Sequence, residues 1–379
     1  MARRLGRPRN DAKGSPTMRP GTNGGGRGRR RSVLLAAGVA LLGLVLSACA
    51  SNTPQDALKP ASHDSRVTYH LFVPVFWIAV GVFILVEGLI VYAAIRFRRR
   101  SDDDSPVQVH GNSRLELGWT ILPALLLLGI GVFTIKTVFS INRYPTGPNV
   151  VNATVIGHRW WWEFRYPDSG VVTANQLYIP TGKEVVLTLE SDDVIHSFWP
   201  PMLAGKVDVV PGQKNRMKIS ADNPGTYFGQ CAEYCGTSHA NMRLEVVAVN
   251  PADFDTWISQ QKAGPAPLPA APTPSTTAAG GAATAATTSA AAGGQALFLS
   301  KGCAGCHTIS GISAGSVGPN LTHLQSRTVF AGAIFELNDQ NLRRWLRDPP
   351  GEKPGSVMPN LNLSEDEITQ LITYLDTLK

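Results

Sequence analysis

Charged side chains are missing from long stretches of this 379-residue chain, although they make up 17% of the whole. Residues 71–95 contain only Glu87, and residues 119–141 contain only Lys136. Both runs exceed the roughly 20 apolar residues that a helix needs to cross a bilayer. They therefore predict two membrane spans and argue against the core helices of a soluble protein.

Cysteine is also scarce. The chain has five, at positions 49, 231, 235, 303 and 306. Each stands in a motif with a chemistry of its own, so none is left over for a structural disulfide. A small secreted domain held together by disulfides is therefore excluded.

The net charge of +7 comes from the N-terminus and does not indicate a nucleic-acid partner. Residues 1–31 hold ten Arg or Lys and one Asp, so the rest of the chain carries a net charge of −2. This basic segment and the apolar run 33–46 are typical of a secretory signal. The ending Leu-Ser-Ala-Cys resembles a bacterial lipobox. We therefore expect removal of residues 1–48 and lipid on Cys49, with an uncleaved anchor helix as the alternative.

A basic cluster follows the first apolar run, where residues 96–100 read Arg-Phe-Arg-Arg-Arg. Cytoplasmic flanks of membrane spans are rich in Arg and Lys, so residues 96–118 are predicted to be a cytoplasmic loop. The segment 49–70 and the chain after the second span then lie on the outer face of the plasma membrane. Pro123 falls in the first turns of the second span, where a helix tolerates proline.

Residues 231–242 read Cys-Ala-Glu-Tyr-Cys-Gly-Thr-Ser-His-Ala-Asn-Met. Two thiols, an imidazole and a thioether within twelve residues suit copper better than magnesium or calcium, because sulfur ligands prefer soft metals. His196 is the best additional nitrogen donor upstream. A disulfide with bystander His and Met, or a zinc site, remains the alternative.

Between residues 143 and 262 the pattern is that of short strands. Runs at 150–156, 184–190, 215–220 and 242–249 alternate or are rich in β-branched residues, with turn residues between them. Several short strands at this spacing predict a β-sandwich or barrel.

Residues 263–294 contain no charge and are almost wholly Ala, Pro, Thr, Ser and Gly. Such a segment cannot bury a core, so it is predicted to be a flexible linker with a reach of about 30 Å. The final region, 295–379, follows it. Helices are predicted there over 338–347 and after the capping box at 364–367.

The final region opens with Cys303-Ala-Gly-Cys306-His307, the attachment motif of c-type haem. In that motif the two thiols bond the haem, and the adjacent imidazole binds its iron. Met358 and His323 are the candidates for the other axial ligand. The loop position of Met358, just before the last helix, favours Met358.

The pattern His…CxExCGxxHxxM, from His196 to Met242, resembles the CuA centre of cytochrome c oxidase subunit II. From Cys49 onward, the order of segments is similar to subunit II of the caa3 type, in which a cytochrome c domain is fused to the CuA domain. The resemblance implies a two-helix transmembrane hairpin, an all-β cupredoxin-like Greek-key barrel and an all-α class I cytochrome c domain.

The resemblance also implies which residues bind the cofactors. A dinuclear copper A centre would be held by His196, Cys231, the carbonyl of Glu233, Cys235, His239 and Met242. One covalent haem c would be held by Cys303, Cys306, His307 and Met358. The Glu233 side chain would bind a magnesium ion at the interface with subunit I.

In this family, electrons come from a cytochrome c or a cytochrome bc complex. They pass to subunit I, which carries haem a, haem a3 and CuB, reduces oxygen to water and pumps protons beside subunit III. Trp160 matches the position that receives electrons above the copper pair. Glu116 matches a carboxylate at the mouth of a proton path. The oxygen site is expected on subunit I, because the spans of this chain contain no cluster of histidines.

Trp161 and Trp162 are expected to serve packing, and Asp193 and Asp208 to be surface or interface acids. Two other classes share parts of the pattern. A nitric oxide reductase with a copper-bearing subunit would use the same electron path, and a membrane-tethered electron carrier would need no oxidase partner. A quinol oxidase subunit II shares the spans and barrel but lacks the copper ligands, which are present here.

Overall fold

The computed structural model describes residues 32–33, 35–41, 43–44, 53–99, 108, 110–147, 150–265 and 281–379, the side chains of residues 281–289 excepted. The chain divides into two units after Thr53, and the described part of the first unit is helical and exposed. Cys49, most of the expected signal segment and residues 266–280 of the expected linker lie outside the described residues.

Two long apolar helices, α1 (His63–Arg96) and α2 (Ser113–Ile141), are long enough to cross a membrane, and their most apolar segments are exposed. Both helices extend beyond the predicted spans because polar side chains cap them further out. The Ser62 hydroxyl accepts a hydrogen bond from the backbone of Ser65. The Asn112 side chain accepts bonds from the first backbone N–H groups of α2.

This earlier start of α2 corrects one expectation. Pro123 lies well inside the helix rather than in its first turns, because α2 begins at Ser113 instead of near residue 119. Glu116 consequently lies in the first turn of α2.

The helix ends that lie farthest from the basic cluster meet the β domain. Near the start of α1, Arg66 forms a salt bridge with Asp222. Just after α2, the Tyr144 hydroxyl donates to the carbonyl of Arg216 at 2.9 Å, and the Arg216 guanidinium lies over the Tyr144 ring. Both ends of the hairpin are therefore tied to the same domain, in agreement with a hairpin whose two outer ends face the same side.

The β domain consists of two five-stranded sheets that enclose one apolar core. Their strand orders are β3-β2-β1-β5-β8 and β4-β10-β9-β6-β7. The strands are β1 Val151–His158, β2 Trp161–Tyr166, β3 Val171–Ala174, β4 Gln176–Pro180, β5 Val185–Ser191, β6 His196–Trp199, β7 Val207–Val209, β8 Asn215–Ile219, β9 Gly225–Cys231 and β10 Arg243–Val249. Trp162, Phe164 and Phe198 are fully buried between the sheets, which confirms the packing role expected for Trp162.

The four predicted strands correspond to β1, β5, β8 and β10. Strands β3, β6 and β7 escaped prediction because three or four residues give little periodicity, whereas β2, β4 and β9 are longer and lack the run of β-branched residues that marks the predicted strands. Helix α3 (Pro251–Lys262) closes the domain, and Trp257 stacks on Tyr178 with ring centroids 4.3 Å apart.

The final domain is built mainly from helices around a second apolar core. They are α4 (Gly281–Ser300), α5 (Asp339–Arg347), α6 (Pro349–Glu352) and α7 (Glu365–Leu375). The capping box of Ser364 and Glu367 at the start of α7 is confirmed. Two short ribbons depart from an all-α fold: β11 Thr308–Ile309 with β12 Ser313–Ala314, and β13 Val329–Phe330 with β14 Phe335–Glu336. Gly311 and Gly332 have positive φ angles in the intervening turns, where the chain reverses.

The predicted linker boundary at residue 294 needs correction, because α4 already begins at Gly281. Alanine is the best helix former, and this helix gains further stability by packing against α7. Ala291 is buried, and Gly294 lies directly against the backbone of Gln370 on α7. The final domain therefore includes residues that were expected to be linker.

We expect Gly294→Ala to lower the free energy of unfolding of this domain by about 1–3 kcal/mol. A Cβ at this position would overlap the carbonyl oxygen of Gln370 and lie 2.7 Å from Cβ of Tyr374. Denaturant unfolding followed at the haem absorption band measures the loss. Gly293→Ala is the matched control, because its Cβ would meet only the end of the Gln370 side chain. Equal losses in the two variants would contradict this account.

Candidate metal and haem centres

The stretch 231–242, which we call the copper loop, connects β9 to β10. The backbone N–H of Cys231 donates to the carbonyl of Met242 at 2.9 Å, so the two ends of the loop are held together. Gly236 has a φ angle of +115°, and a Cβ there would lie 3.0 Å from the Trp160 ring. Glycine is therefore required at this point by both conformation and space.

Three sulfur atoms and an imidazole come together inside this loop. Sγ of Cys231 lies 3.8 Å from Sγ of Cys235, which is too far for a disulfide, whose S–S distance is about 2.05 Å. Sγ of Cys235 lies 3.6 Å from Nδ1 of His239 and 3.8 Å from Sδ of Met242. Both cysteines and Met242 are buried, as expected of inward-pointing ligands.

The two remaining predicted donors also reach this cluster. His196 begins β6, which pairs with β9 so that Phe198 lies opposite Cys231. Nδ1 of His196 is therefore 3.8 Å from Sγ of Cys231. The carbonyl oxygen of Glu233 lies 3.2 Å from the same sulfur. All six predicted copper donors converge on one place.

Asp193, expected to be a surface or interface acid, is partly exposed but also acts on this cluster, a role that the sequence did not reveal. One carboxylate oxygen lies 2.8 Å from Nε2 of His196, and the other accepts the backbone N–H of Arg159 at 2.6 Å. Because Nε2–H is held by the carboxylate, Nδ1 is left free as a ligand. The only sequence signal is an acid three residues before a histidine, which is common and hence weak.

The charges of the cluster favour metal binding. The pKa of Cys231 is lowered to about 3, chiefly by the hydrogen bond from the Cys235 thiol and further by His196. The pKa of Cys235 is raised, because the neighbouring Cys231 thiolate and burial both oppose a second negative charge. Burial alone would lower the pKa of His196, but its bonds to Asp193 and Cys231 raise it overall. These interactions favour one thiolate in the pair, and thiolates are the metal-binding form of cysteine.

The donor set fits copper. It contains two thiols, a thioether, two imidazoles and a carbonyl, which exceeds the four ligands of a structural zinc site. Soft sulfur together with imidazole is the combination that copper prefers.

The final domain contains a largely apolar cavity lined by Cys303, Cys306, His307 and Met358. Nδ1–H of His307 donates to the carbonyl of Pro319 at 2.8 Å, which leaves Nε2 free. Burial lowers the pKa of His307, so the ring stays neutral, as an iron ligand must. Both thiols are free and partly buried. The cavity thus offers every group that covalent haem attachment requires.

The structure separates the two candidates for the other axial ligand. Met358 lines the cavity, and the indole N–H of Trp345 lies 3.2 Å from its sulfur. His323 is absent from the described cavity wall, and its Nδ1 lies 2.9 Å from the carbonyl of the C-terminal Lys379. The geometry therefore favours Met358.

Trp160 lies between the two centres. Its indole N–H donates to the carbonyl of Cys235 in the copper loop at 3.1 Å, and the same residue lines the haem cavity. Only 9% of Trp160 is exposed. Trp161 is also buried, and it stacks on His158 in the packing role expected for it.

Glu116 is not part of either centre. It lies at the start of α2, about 38 Å along the helix from the end that meets the β domain. Its side chain is exposed in the isolated chain.

Known proteins share these features. Three family models match: the transmembrane domain of cytochrome c oxidase subunit II over residues 51–137, its periplasmic domain over 171–249, and cytochrome c over 291–379. Cytochrome c oxidase subunit 2 of Alkalihalophilus pseudofirmus is 35% identical over 347 residues, which cover 90% of this chain and 96% of that protein. Subunit 2 of Bacillus subtilis is 32% identical over 362 residues, with the same coverage.

A crystal structure of the periplasmic domain of cytochrome oxidase subunit II from Bradyrhizobium japonicum is 26% identical. It covers 32% of this chain and 97% of its own, with a TM-score of 0.30.

A membrane-anchored hairpin, a copper-binding β domain and a haem-binding domain define an electron-transfer protein of a respiratory membrane. The sequence matches extend over the whole of this arrangement. The chain belongs to the cytochrome c oxidase subunit 2 family, and it is the electron-transfer subunit of a haem-copper oxidase that contains other subunits. This membership decides against a nitric oxide reductase subunit and a partnerless carrier.

We expect Asp193→Ala to lower the affinity of the chain for copper about 10–100-fold, the usual loss when a partner of a ligating histidine is removed. Competition with a copper chelator of known affinity measures the change. Asp192→Ala is the control, because this neighbouring carboxylate is 73% exposed and contacts no predicted copper ligand. Unchanged affinity in Asp193→Ala would show that the carboxylate does not orient His196.

Proposed function

We propose that this chain holds a dinuclear copper A centre and one covalent haem c, and that it carries electrons from the haem domain to the copper domain and on to subunit I. The convergence of six donors on the Cys231–Cys235 pair is the observation that carries the proposal. When bound, the two groups supply one-electron carriers whose potentials are tuned by their ligands.

Within the copper domain, Cys231 and Cys235 supply thiolates, and His196, His239, Met242 and the carbonyl of Glu233 complete the donor set. The rigid β-sandwich holds these ligands in place before the metal arrives. Such preorganisation limits rearrangement around the metal, which favours fast electron transfer.

Within the haem domain, Cys303 and Cys306 form the covalent links, and His307 and Met358 are the axial ligands. A methionine ligand raises the reduction potential relative to histidine. The reduction potential of this haem then suits a position late in a respiratory chain, where the haem accepts electrons from a cytochrome c or a cytochrome bc complex.

Trp160 is proposed as the electron-entry residue of the copper domain. Its side chain contacts the copper loop and lines the haem cavity, so it offers a short path of bonded and packed atoms between them. Among the three consecutive tryptophans, Trp161 also lines the haem cavity and Trp162 also contacts His196, whereas Trp160 makes both kinds of contact.

The assembly we propose has residues 1–48 removed, lipid on Cys49, and the copper and haem domains on the outer face of the plasma membrane. The domain limits 143–262 for copper and 295 onward for haem remain proposals, with α4 extending the latter towards Gly281. Subunits I and III are the partners. The Glu233 carboxylate accepts the backbone N–H of Tyr234 at 3.2 Å and lies 4.0 Å from Nζ of Lys206, but it is 44% exposed and therefore accessible to a magnesium ion shared with subunit I.

Spectroscopy of the full chain, matured with haem and copper, tests the two-centre proposal. We expect an EPR pattern of one unpaired electron shared by two copper nuclei, together with the optical spectrum of His/Met haem c. Cys231→Ser should abolish the shared-copper pattern and leave the haem spectrum intact. Met358→Ala should do the converse, removing the methionine–iron signature only. A mononuclear copper pattern in the unaltered chain would contradict the ligand assignment.

Glu116 is proposed to lie at the entrance of a proton path into subunit I. We expect Glu116→Ala to reduce turnover and proton uptake of the assembled oxidase severalfold, while Glu116→Asp, which keeps a carboxylate, retains more of both. Proton uptake by the complex in vesicles is the measurement. Unchanged uptake in Glu116→Ala would leave Glu116 as a plain interfacial carboxylate.

A further inference from the structure

The haem domain contacts the copper domain through several hydrogen bonds. The backbone N–H of Arg243 donates to the carbonyl of Gly332 at 2.9 Å, and the Ser238 hydroxyl donates to the carbonyl of Pro354 at 2.6 Å. The side chain of Gln176 meets the hydroxyl and the backbone N–H of Thr328 at 2.6 and 3.1 Å. These bonds join strands β4 and β10 and the copper loop to loops of the haem domain.

Two glycines of the haem domain allow this close approach. Gly332 has a φ angle of +83°, and a Cβ there would lie 2.7 Å from the carbonyl of Asn241 and 2.9 Å from that of Trp160. Gly355 has a φ angle of +87°, and a Cβ there would lie 3.0 Å from the Trp160 ring. Trp160 is thus enclosed between the copper loop and the haem domain.

Lys353 lies at the centre of this contact. Its ammonium group donates to the carbonyl of Trp160 in the copper domain at 2.5 Å and to that of Ala331 in its own domain at 2.8 Å. Only 3% of the residue is exposed, and within the described chain it has no carboxylate partner within salt-bridge distance. Burial lowers its pKa to about 7.

A buried ammonium without a counter-ion is costly, so such a residue is unexpected in a position that serves packing only. Lys353 also lines the haem cavity, together with Arg159, Lys301 and Arg327, and no acidic residue lines the described cavity wall. Lys301 and Arg159 already pair with Glu367 and Asp193, so the carboxylates that haem brings would complement Lys353 and Arg327. Arg159 belongs to the copper domain, so that domain contributes to the wall of the haem cavity.

We propose that Lys353 is a positioning residue that holds the haem domain docked on the copper domain over Trp160. This inference rests on the proposed function of the two centres and adds how they are held together. In the docked arrangement an external donor reaches the haem domain first, because Trp160 is covered. The haem domain then does not have to diffuse to the copper domain before each electron transfer.

Hydrogen exchange in the full chain loaded with haem and copper tests whether Lys353 holds the two domains together, a role we call the latch. The amide of Arg243 donates across the contact, so its exchange rate reports separation of the domains. We expect Lys353→Met to raise this rate at least about tenfold, because the hydrogen bond from the ammonium group to the carbonyl of Trp160 across the contact is lost and this carbonyl loses its charged donor. Lys301→Met is the matched control, since Lys301 lines the same cavity but pairs within the haem domain with Glu367 at 2.6 Å. An unchanged rate in Lys353→Met, or an equal rise in the control, would overturn the proposal.

Kinetics of the unaltered chain give a second test that does not depend on a variant. After flash reduction of the haem, a docked domain should reduce copper in a single phase whose rate is independent of solvent viscosity. Lys353→Met should show a slower, viscosity-dependent phase. A viscosity-dependent rate in the unaltered chain would mean that the haem domain swings, and the latch would be rejected.

The two levels of the proposal fail in different ways. A chain that does not take up two copper ions and one haem would refute the proposed function. A chain that takes up both but shows no effect of Lys353 on exchange or kinetics would refute the latch alone.

Discussion

The hydrogen bond from the indole of Trp160 to the carbonyl of Cys235 is the contact on which both centres depend. It fixes one face of Trp160 against the copper loop, and the other side of the residue lines the haem cavity. Gly236 must lack a side chain for the indole to reach this carbonyl, and Gly355 must lack one for the haem domain to approach the ring. The two candidate centres are therefore structurally coupled, because Trp160 contacts the copper loop and also lines the haem cavity.

Much of the site was readable from the sequence because its ligands are local. Four donors lie within twelve residues. The loop that contains them joins two paired strands, so it brings them together without help from distant parts of the chain. His196 is distant in sequence, and its place follows from the pairing of β6 with β9. From the sequence it was only the best nitrogen donor upstream of the loop, and its assignment as a ligand comes from the family pattern.

The residues that prediction missed act through tertiary contacts. Asp193 and Lys353 look like ordinary surface charges in the sequence, and only the folded chain brings one to His196 and the other to Trp160. The start of α4 was missed for a different reason. An alanine-rich segment has no apolar periodicity to reveal a helix, and its partner α7 lies some 70 residues away, so composition alone suggested a linker.

The membrane hairpin also constrains the copper domain. Lys218 is buried between Asp64, at the start of α1, and Glu184, at 3.4 and 2.8 Å. Together with the salt bridge of Arg66 and Asp222, this ties the first helix to the sandwich. A domain tied to both ends of the hairpin keeps a defined orientation relative to the two helices.

The contact between the copper and haem domains has one more property. Within the described residues, no ion pair crosses it, and its bonds end on neutral carbonyls and hydroxyl groups. Dissolved ions weaken long-range attraction between charged surfaces, but they hardly affect short hydrogen bonds between buried groups. The internal transfer step should therefore proceed equally well in dilute and in concentrated salt, whereas delivery by a soluble donor guided by surface charge would not. An organism whose surroundings vary in salinity would keep this part of its respiratory chain unaffected.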